Sequence, residues 1–372
     1  MKMRSDGRYQ SKIYLGNGKY KYVMANSKKE LEEKCLQVRI ALNKGIDVAA
    51  QNDSFGQWSQ QWIDLKYNEV SYGRYTSYKA NLEHLKPLFD YTITKLRPID
   101  FQNRFYALKK EGLALATIKG CKCAARQVFN LAISNRVIDY NPVDFAKLPK
   151  DAPKETRRAL TQEEIQWILD TPHRAQTPAM VMLYAGLRRG EAIPLTWDCV
   201  DLNNKTIFVK QSIETTEEGL AVKEGGKTQS ATRTVNIPDI LVEYLRNTER
   251  KCEYVCPSAR NKMMSLTAWR RMWESYLNVL NFKYGEHNKQ VSSRFAPEKL
   301  PFTIPNITAH WLRHTYITML YQAGVDVLTA KEQAGHANIS TTLSIYTHLD
   351  QTHKRKQIDK LNDYINQKGN PG

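Results

Sequence analysis

The apolar residues of this chain change their spacing at Ser54 and again after residue 148, which divides it into separately cored segments rather than one layered domain. Between those points four stripes recur at the helical period. They are Phe55, Trp58, Trp62 and Leu65; Tyr75, Tyr78, Leu82, Leu85 and Phe89; Phe101, Phe105 and Leu108; and Ile118, Cys121, Ala125, Val128 and Ala132. The spacing predicts four short helices in a compact bundle over 54–148. These aromatics read as core, with a base-stacking platform as the other reading. Exposed Lys79, Lys86, Lys95, Arg97, Lys119, Lys122 and Arg126 suit either backbone phosphate or an ordinary solvated face.

Ahead of Ser54 the period is two. Arg8–Leu15 and Lys19–Ala25 are β-rich and joined by Gly16-Asn17-Gly18, a hairpin signal because Asn and Gly accept positive φ. Met1–Ser5 offers a third, edge strand. Ser27 then caps a helix through Leu42, with Leu31, Cys35, Val38 and Leu42 on one face. A small sheet with basic and aromatic residues on its strands fits a major groove, although a solvated hairpin has the same pattern.

Past the bundle, Pro149–Arg158 is polar and holds two prolines, as a linker does. Thr161-Gln-Glu-Glu164 is a capping box that opens a new domain. It is followed by a helix through Met180–Tyr184, strands near Lys205–Gln211 and Arg233–Ile237, and helices around Ile240–Arg250, Leu266–Leu280, Thr308–Ala323 and Thr341–Leu349. The expected architecture is multidomain and mainly α with small β-sheets. Residues 1–45 form a three-stranded sheet plus helix, 54–148 a four-helix domain, and 158–372 a mixed α/β domain. A tail helix with Ile358, Leu361 and Ile365 on one face ends the last of these.

Charge narrows the partner. With 55 Lys and Arg against 38 Asp and Glu, the net charge of +17 favours a polyanion. The longest apolar run, near Ala179–Leu187, stops at Arg188, far short of the ~20 residues that span a bilayer. The start Met1-Lys2-Met3-Arg4-Ser5-Asp6 has no apolar signal region, so the expected location is cytoplasmic. Cysteines 35, 121, 123, 199, 252 and 256 are scattered, which is no disulfide framework. No second Cys or His pair follows Cys252 and Cys256 at zinc-finger spacing, and no metal is expected.

Chemistry concentrates in the last domain. Gly186-Leu-Arg188-Arg-Gly-Glu191 ends an apolar helix, and Glu191 stands three residues on, where it can orient a guanidinium. Lys227 lies in a turn between β-segments, ahead of Arg233-Thr-Val-Asn-Ile-Pro238. His310-Trp-Leu-Arg313-His places His310 and Arg313 one helical turn apart. Gly335-His336 precedes Ile345-Tyr346-Thr-His. Guanidiniums suit phosphate because each forks onto two oxygens and stays charged. A tyrosine that attacks a phosphodiester makes an ester of similar kind, so the strand can be resealed without ATP. No Gly-x-x-x-x-Gly-Lys-Ser/Thr run is present, and no cofactor is expected.

Taken in order, these motifs resemble the tyrosine recombinase (phage integrase) family from about Leu160 to Asp350. The 54–148 bundle is similar to that family's core-binding domain, and the N-terminal sheet to the arm-binding domain of integrases from phages and integrative conjugative elements. The resemblance implies that Arg188 and Arg313 clamp a scissile phosphate and Lys227 protonates the departing 5′ oxygen. His310 would exchange a proton with the nucleophile, His336 hydrogen-bond a phosphate oxygen, and Tyr346 attack to become 3′-phosphotyrosyl. Glu191 would support Arg188, and Tyr316 would pack. The implied activity is site-specific recombination that integrates or excises a mobile element. Its partners would be double-stranded DNA at core and arm sites, a homotetramer of the chain, and DNA-bending accessory proteins or an excisionase. The alternatives are a chromosome-dimer resolvase, a type IB topoisomerase and an inactive DNA-binding regulator on the same fold. The separate N-terminal module argues against the first two and the intact residues against the third. Two features depart from the family pattern: Ala185 replaces a usual small polar residue, and Lys283–Pro305 is a long polar insertion.

Overall fold

The computed structural model describes residues 2–16, 18–43, 45, 47–48, 50–150, 158–225, 232–286, 300–346 and 359, with only the backbone for 344–346. The chain divides into two compact units, Met1–Lys154 and Glu155–Gly372.

The first unit opens with an antiparallel sheet of β1 (Lys2–Met3), β2 (Tyr9–Gly16) and β3 (Lys19–Ala25), in that order. Lys12 faces Tyr22 and Tyr14 faces Tyr20 across β2 and β3, so the alternation puts these four on one face. Ile13, Val23 and Ala25 lie on the other and are buried against Leu31 and Cys35 of α1 (Lys28–Asn43). The outward face keeps its aromatics in solvent, with the Lys12 ammonium 3.6 Å from the Tyr20 ring centre.

A second core belongs to α2 (Phe55–Glu69), α3 (Tyr72–Glu83), α4 (Pro98–Lys110), α5 (Leu115–Ser134) and the short α6 (Pro142–Phe145). Ser54 starts α2 with a reciprocal capping box, accepting from the Gln57 N–H while the Gln57 side chain accepts from its own. Phe55 then drops into the centre against Phe89, Phe101 and Phe129. The aromatic stripes are therefore core, except that Leu65 at the end of the first lies exposed. Among the surface cations, Lys86, Arg97 and Arg126 pair with Glu83, Asp100 and Asp144, and Lys122 donates to the Ala146 carbonyl. Lys79, Lys95 and Lys119 stay exposed.

In the second unit α7 (Gln162–Leu169) begins at the Thr161–Glu164 capping box, and α8 (Gln176–Tyr184) is apolar nearly all round, as a central helix must be. After α9 (Arg189–Ala192) come β4 (Val200–Asp201), β5 (Thr206–Val209), β6 (Gln211–Thr216), β7 (Gly219–Glu224) and β8 (Arg233–Asn236). Strands β4, β5 and β8 form one antiparallel sheet, with Val209 opposite Arg233; β6 and β7 form a separate hairpin. The rest is helical: α10 (Asp239–Arg246), α11 (Leu266–Tyr284), α12 (Ala309–Gln322), α13 (Val327–Ala334) and α14 (Ile339–Tyr346). Helix α12 packs on α8, α13 on β8, and α14 on both α12 and α13, which brings residues separated by well over a hundred positions to one place. Of the insertion, Pro301–Ile304 is held by the Asn281 side chain, which donates to the Pro301 carbonyl and accepts from the Thr303 and Ile304 N–H groups. The expected tail helix with Ile358, Leu361 and Ile365 lies outside the described residues.

Candidate active site

Helix α8 ends at Ala185, and Gly186 reverses the chain at φ +64°. A side chain is excluded there twice over: the backbone is left-handed, and a Cβ would stand 2.3 Å from the Tyr316 ring. This tight approach of α8 to α12 delivers Arg188 to the N-terminus of α9. Its backbone N–H donates to Glu191 Oε2 at 2.9 Å, and its Nη1 to Oε1 at 2.7 Å. Nη2 donates to the Gly335 carbonyl at 2.7 Å, 147 positions along the chain. The side chain is still 42% exposed, which leaves N–H groups for something else.

Arg313 is the opposite case. It projects from the second turn of α12, is only 3% exposed, and donates Nη1 to the Gly186 carbonyl and Nη2 to the Ala334 carbonyl. Those acceptors exist because Gly186 and Gly335 turn the backbone at the ends of α8 and α13; Gly335 closes α13 at φ +61°. The next residue, His336, is buried, and its Nδ1 lies 2.9 Å from the hydroxyl of Thr342 on α14. Arg233, at the start of β8, completes the cluster. Its Nη1 and Nη2 donate to the two Glu191 oxygens at 3.2 and 3.0 Å, and its Nε to the Gln333 carbonyl at 3.1 Å.

Two guanidiniums, Arg188 and Arg233, thus share the Glu191 carboxylate in a largely buried place, with Arg313 held on the neighbouring carbonyls. Burial pushes the Glu191 carboxyl up, but the Arg233 hydrogen bond and the charges of Arg233 and Arg188 outweigh it and hold it at about 2. Burial, with Arg188 beside it, pulls Arg313 down to about 9, so it remains a cation at neutral pH. Burial and then Arg313, Arg188 and Arg233 bring His336 down to about 4, which makes it a neutral imidazole. A surplus of fixed positive charge with unused donors is a receptor for an anion.

The cluster opens into a cleft of about 830 Å³ lined by Arg188, Arg189, Trp269, Arg270, His310 and Arg313, among others. Of the residues expected from sequence, Arg188 and Arg313 converge on the Ala334–Gly335 turn that leads into His336, and His310 borders the same cleft as the two arginines. Tyr316 is buried in the core against Gly186. Tyr346 is the last residue of α14, one turn of backbone beyond Thr342; its side chain lies outside the description. Lys227 also lies outside the described residues. Arg233 and Thr342 were not among the expected site residues. Arg233 carried little local signal, since β8 buries only Val235 and its other residues face outward or lie at the margin.

A model of the phage integrase family matches residues 158–353. A "Tyrosine recombinase XerC-like" protein of Caldanaerobacter subterraneus subsp. tengcongensis is 25% identical over 95% of this chain and 96% of its own length. The ICEBs1 integrase of Bacillus subtilis is 26% identical over 82% of this chain and 80% of its own. The same fold is found in the Tn1549 transposon integrase, solved with a circular intermediate DNA. Its TM-score is 0.69 at 21% identity, over 83% of this chain and 99% of that one. A lambda integrase tetramer bound to a Holliday junction gives a TM-score of 0.55 at 16% identity, over 91% and 95% of the two chains. With the family model covering more than half of its length and the motifs above falling inside that span, the chain belongs to the phage integrase family of tyrosine recombinases.

Proposed function

We propose that this chain is a site-specific DNA recombinase that cuts and rejoins strands through a 3′-phosphotyrosyl intermediate to integrate or excise a mobile element. The observation that carries the reading is the pair Arg188 and Arg313, which both line an open cleft and are both fixed from behind, Arg188 by Glu191 and the Gly335 carbonyl and Arg313 by the Gly186 and Ala334 carbonyls. An uncompensated, rigid cationic pocket stabilises the extra charge that gathers on phosphate oxygens during displacement.

In the cleavage step the Tyr346 phenolic oxygen forms a bond to phosphorus while the bond to the 5′ oxygen breaks. The phenolic proton passes to His310, and the Lys227 ammonium gives a proton to the departing 5′ oxygen. Arg188 and Arg313 fork onto the non-bridging oxygens with the N–H groups that Glu191 and the three backbone carbonyls leave over. His336, kept neutral, offers a hydrogen bond rather than a further charge. Reversal with a 5′ hydroxyl from another duplex reseals the strand, so bond energy is conserved and no nucleotide is consumed.

Two duplexes have four strands and each protomer supplies one tyrosine, so the working assembly is a homotetramer on paired sites. Residues 54–148 and 158–372 bind the core site. The exposed Lys12, Tyr14, Tyr20 and Tyr22 face of the N-terminal sheet suits a separate arm site, with DNA-bending proteins or an excisionase bridging the two. The protein works where the DNA is, in the cytoplasm. The test is a nicked suicide duplex carrying the element's junction sequence. The wild-type chain should form a covalent adduct and Tyr346→Phe none; DNA binding without any adduct in the wild type would leave only a regulator.

A further inference from the structure

Arg233 holds three parts of the site together. Its fork occupies both Glu191 oxygens, its Nε caps the Gln333 carbonyl, and its guanidinium lies so close over Gly335 that a Cβ there would fall 2.7 Å from Nη1. One side chain therefore ties β8 to the start of α9 and the end of α13. At 7% exposure it has little surface to offer DNA.

The partition of Glu191 is what matters for Arg188. Because Arg233 forks onto the carboxylate, Arg188 takes only Oε1 through Nη1 and keeps Nη2 on the Gly335 carbonyl, spanning the two turns. Without Arg233, a carboxylate that is 6% exposed would have one strong cationic neighbour left. The least costly relaxation draws Arg188 into a fork of its own on Glu191, because a buried charge stripped of a partner is heavily penalised. That movement releases Gly335 and turns the guanidinium away from the cleft. It also frees the turn that leads into His336.

We propose that Arg233 is a positioning residue for strand cleavage: by satisfying Glu191 and clamping the Gly335 turn, it keeps Arg188 and His336 aimed at the scissile phosphate while touching no DNA itself. This rests on the reading of Arg188 as a phosphate clamp.

The test compares full-length wild type, Arg233→Ala, Arg233→Lys and each of these combined with Glu191→Gln. Three quantities are read: single-turnover adduct formation on the nicked duplex at saturating protein, DNA affinity by gel shift, and thermal melting. Arg233→Ala should slow adduct formation by on the order of ten- to a hundredfold, the usual result of a misplaced catalytic group, while DNA affinity stays unchanged. Arg233→Lys should recover only part of the rate, since an ammonium cannot fork. Adding Glu191→Gln to either variant should raise the rate, because it removes the charge that captures Arg188 while keeping an acceptor for the Arg188 N–H. A wild-type rate in Arg233→Ala overturns the proposal. So does a loss of affinity in step with the loss of rate, or a double variant no faster than its parent. Should Arg233→Ala not fold, Arg233→Lys with and without Glu191→Gln decides by the same criteria. Absence of adduct in the wild type would instead bring down the recombinase reading itself.

Discussion

A buried arginine is costly unless its donors are met, and Arg313 meets two of its N–H groups with carbonyls that exist only because Gly186 and Gly335 turn the chain there. Arg313→Lys cannot reach both carbonyls from one nitrogen. It should cost about 1–3 kcal/mol of stability for the stranded acceptors and slow adduct formation about a hundredfold or more. A folded variant that cleaves normally would remove Arg313 from the clamp. His336 supplies a pH prediction. Its imidazole is held near 4, against 6.5 for a free histidine, so the unfolded chain takes up its proton first. The stability from keeping it neutral is complete above pH 6.5 and drains away as pH falls from 6.5 toward 4. It amounts to up to roughly 3 kcal/mol at about 1.4 kcal/mol per unit. Melting temperatures taken from pH 7.5 to 5.5, above the 4.5 at which the Glu191 carboxyl titrates in the unfolded chain, should fall more steeply for the wild type than for His336→Gln. Parallel curves would show that His336 is not the group responsible.

At the scale of elements, the turn at Gly186 is where α8, α9 and α12 are set against one another. Gly186→Ala should cost about 2–4 kcal/mol, about 1 for the left-handed backbone and the remainder for a Cβ pressed into Tyr316. Gly112→Ala is the control, since Gly112 is also left-handed at φ +89° but has nothing within 4 Å of its Cβ position. Equal losses in chemical denaturation would mean that the Tyr316 contact is unimportant. The same region shows what a sequence can and cannot reveal. Helices α2 to α4 were legible because their stripes are aromatic, α5 because its apolar stripe runs over four turns, and α7 because its capping box is local. The β6–β7 hairpin was not, since neither strand buries a residue and the alternation carries no signal. Helix α13 buries only Ala330 and Ala334, too small to make a stripe. Arg188, His310, Arg313 and His336 were found through short motifs. Arg233 was missed because its partners stand 42 and 100 positions away, and only the packing of α13 on β8 brings them together.

For the whole molecule, a net charge of +17 gives non-specific attraction to any duplex, so specificity and chemistry must come from places where charge is combined with shape. The cleft is one such place. The outer face of the N-terminal sheet is another, because Lys12 sits over Tyr20 and near Tyr22, with Tyr14 beside them, on an otherwise small and solvent-exposed sheet. If that face reads an arm site, the triple variant Lys12→Ala, Tyr20→Ala and Tyr22→Ala should behave differently on two duplexes. A short core duplex should be bound and cleaved as by the wild type, since none of the three residues belongs to the catalytic unit. A long duplex with its flanking sequence should lose affinity, and its log–log salt dependence should flatten by about one for the missing phosphate contact. Ala in place of exposed Lys12, Tyr20 and Tyr22 strips no buried core, so melting should hardly change. An equal loss on both duplexes would place the sheet at the core site, and no loss on either would make it a solvated hairpin.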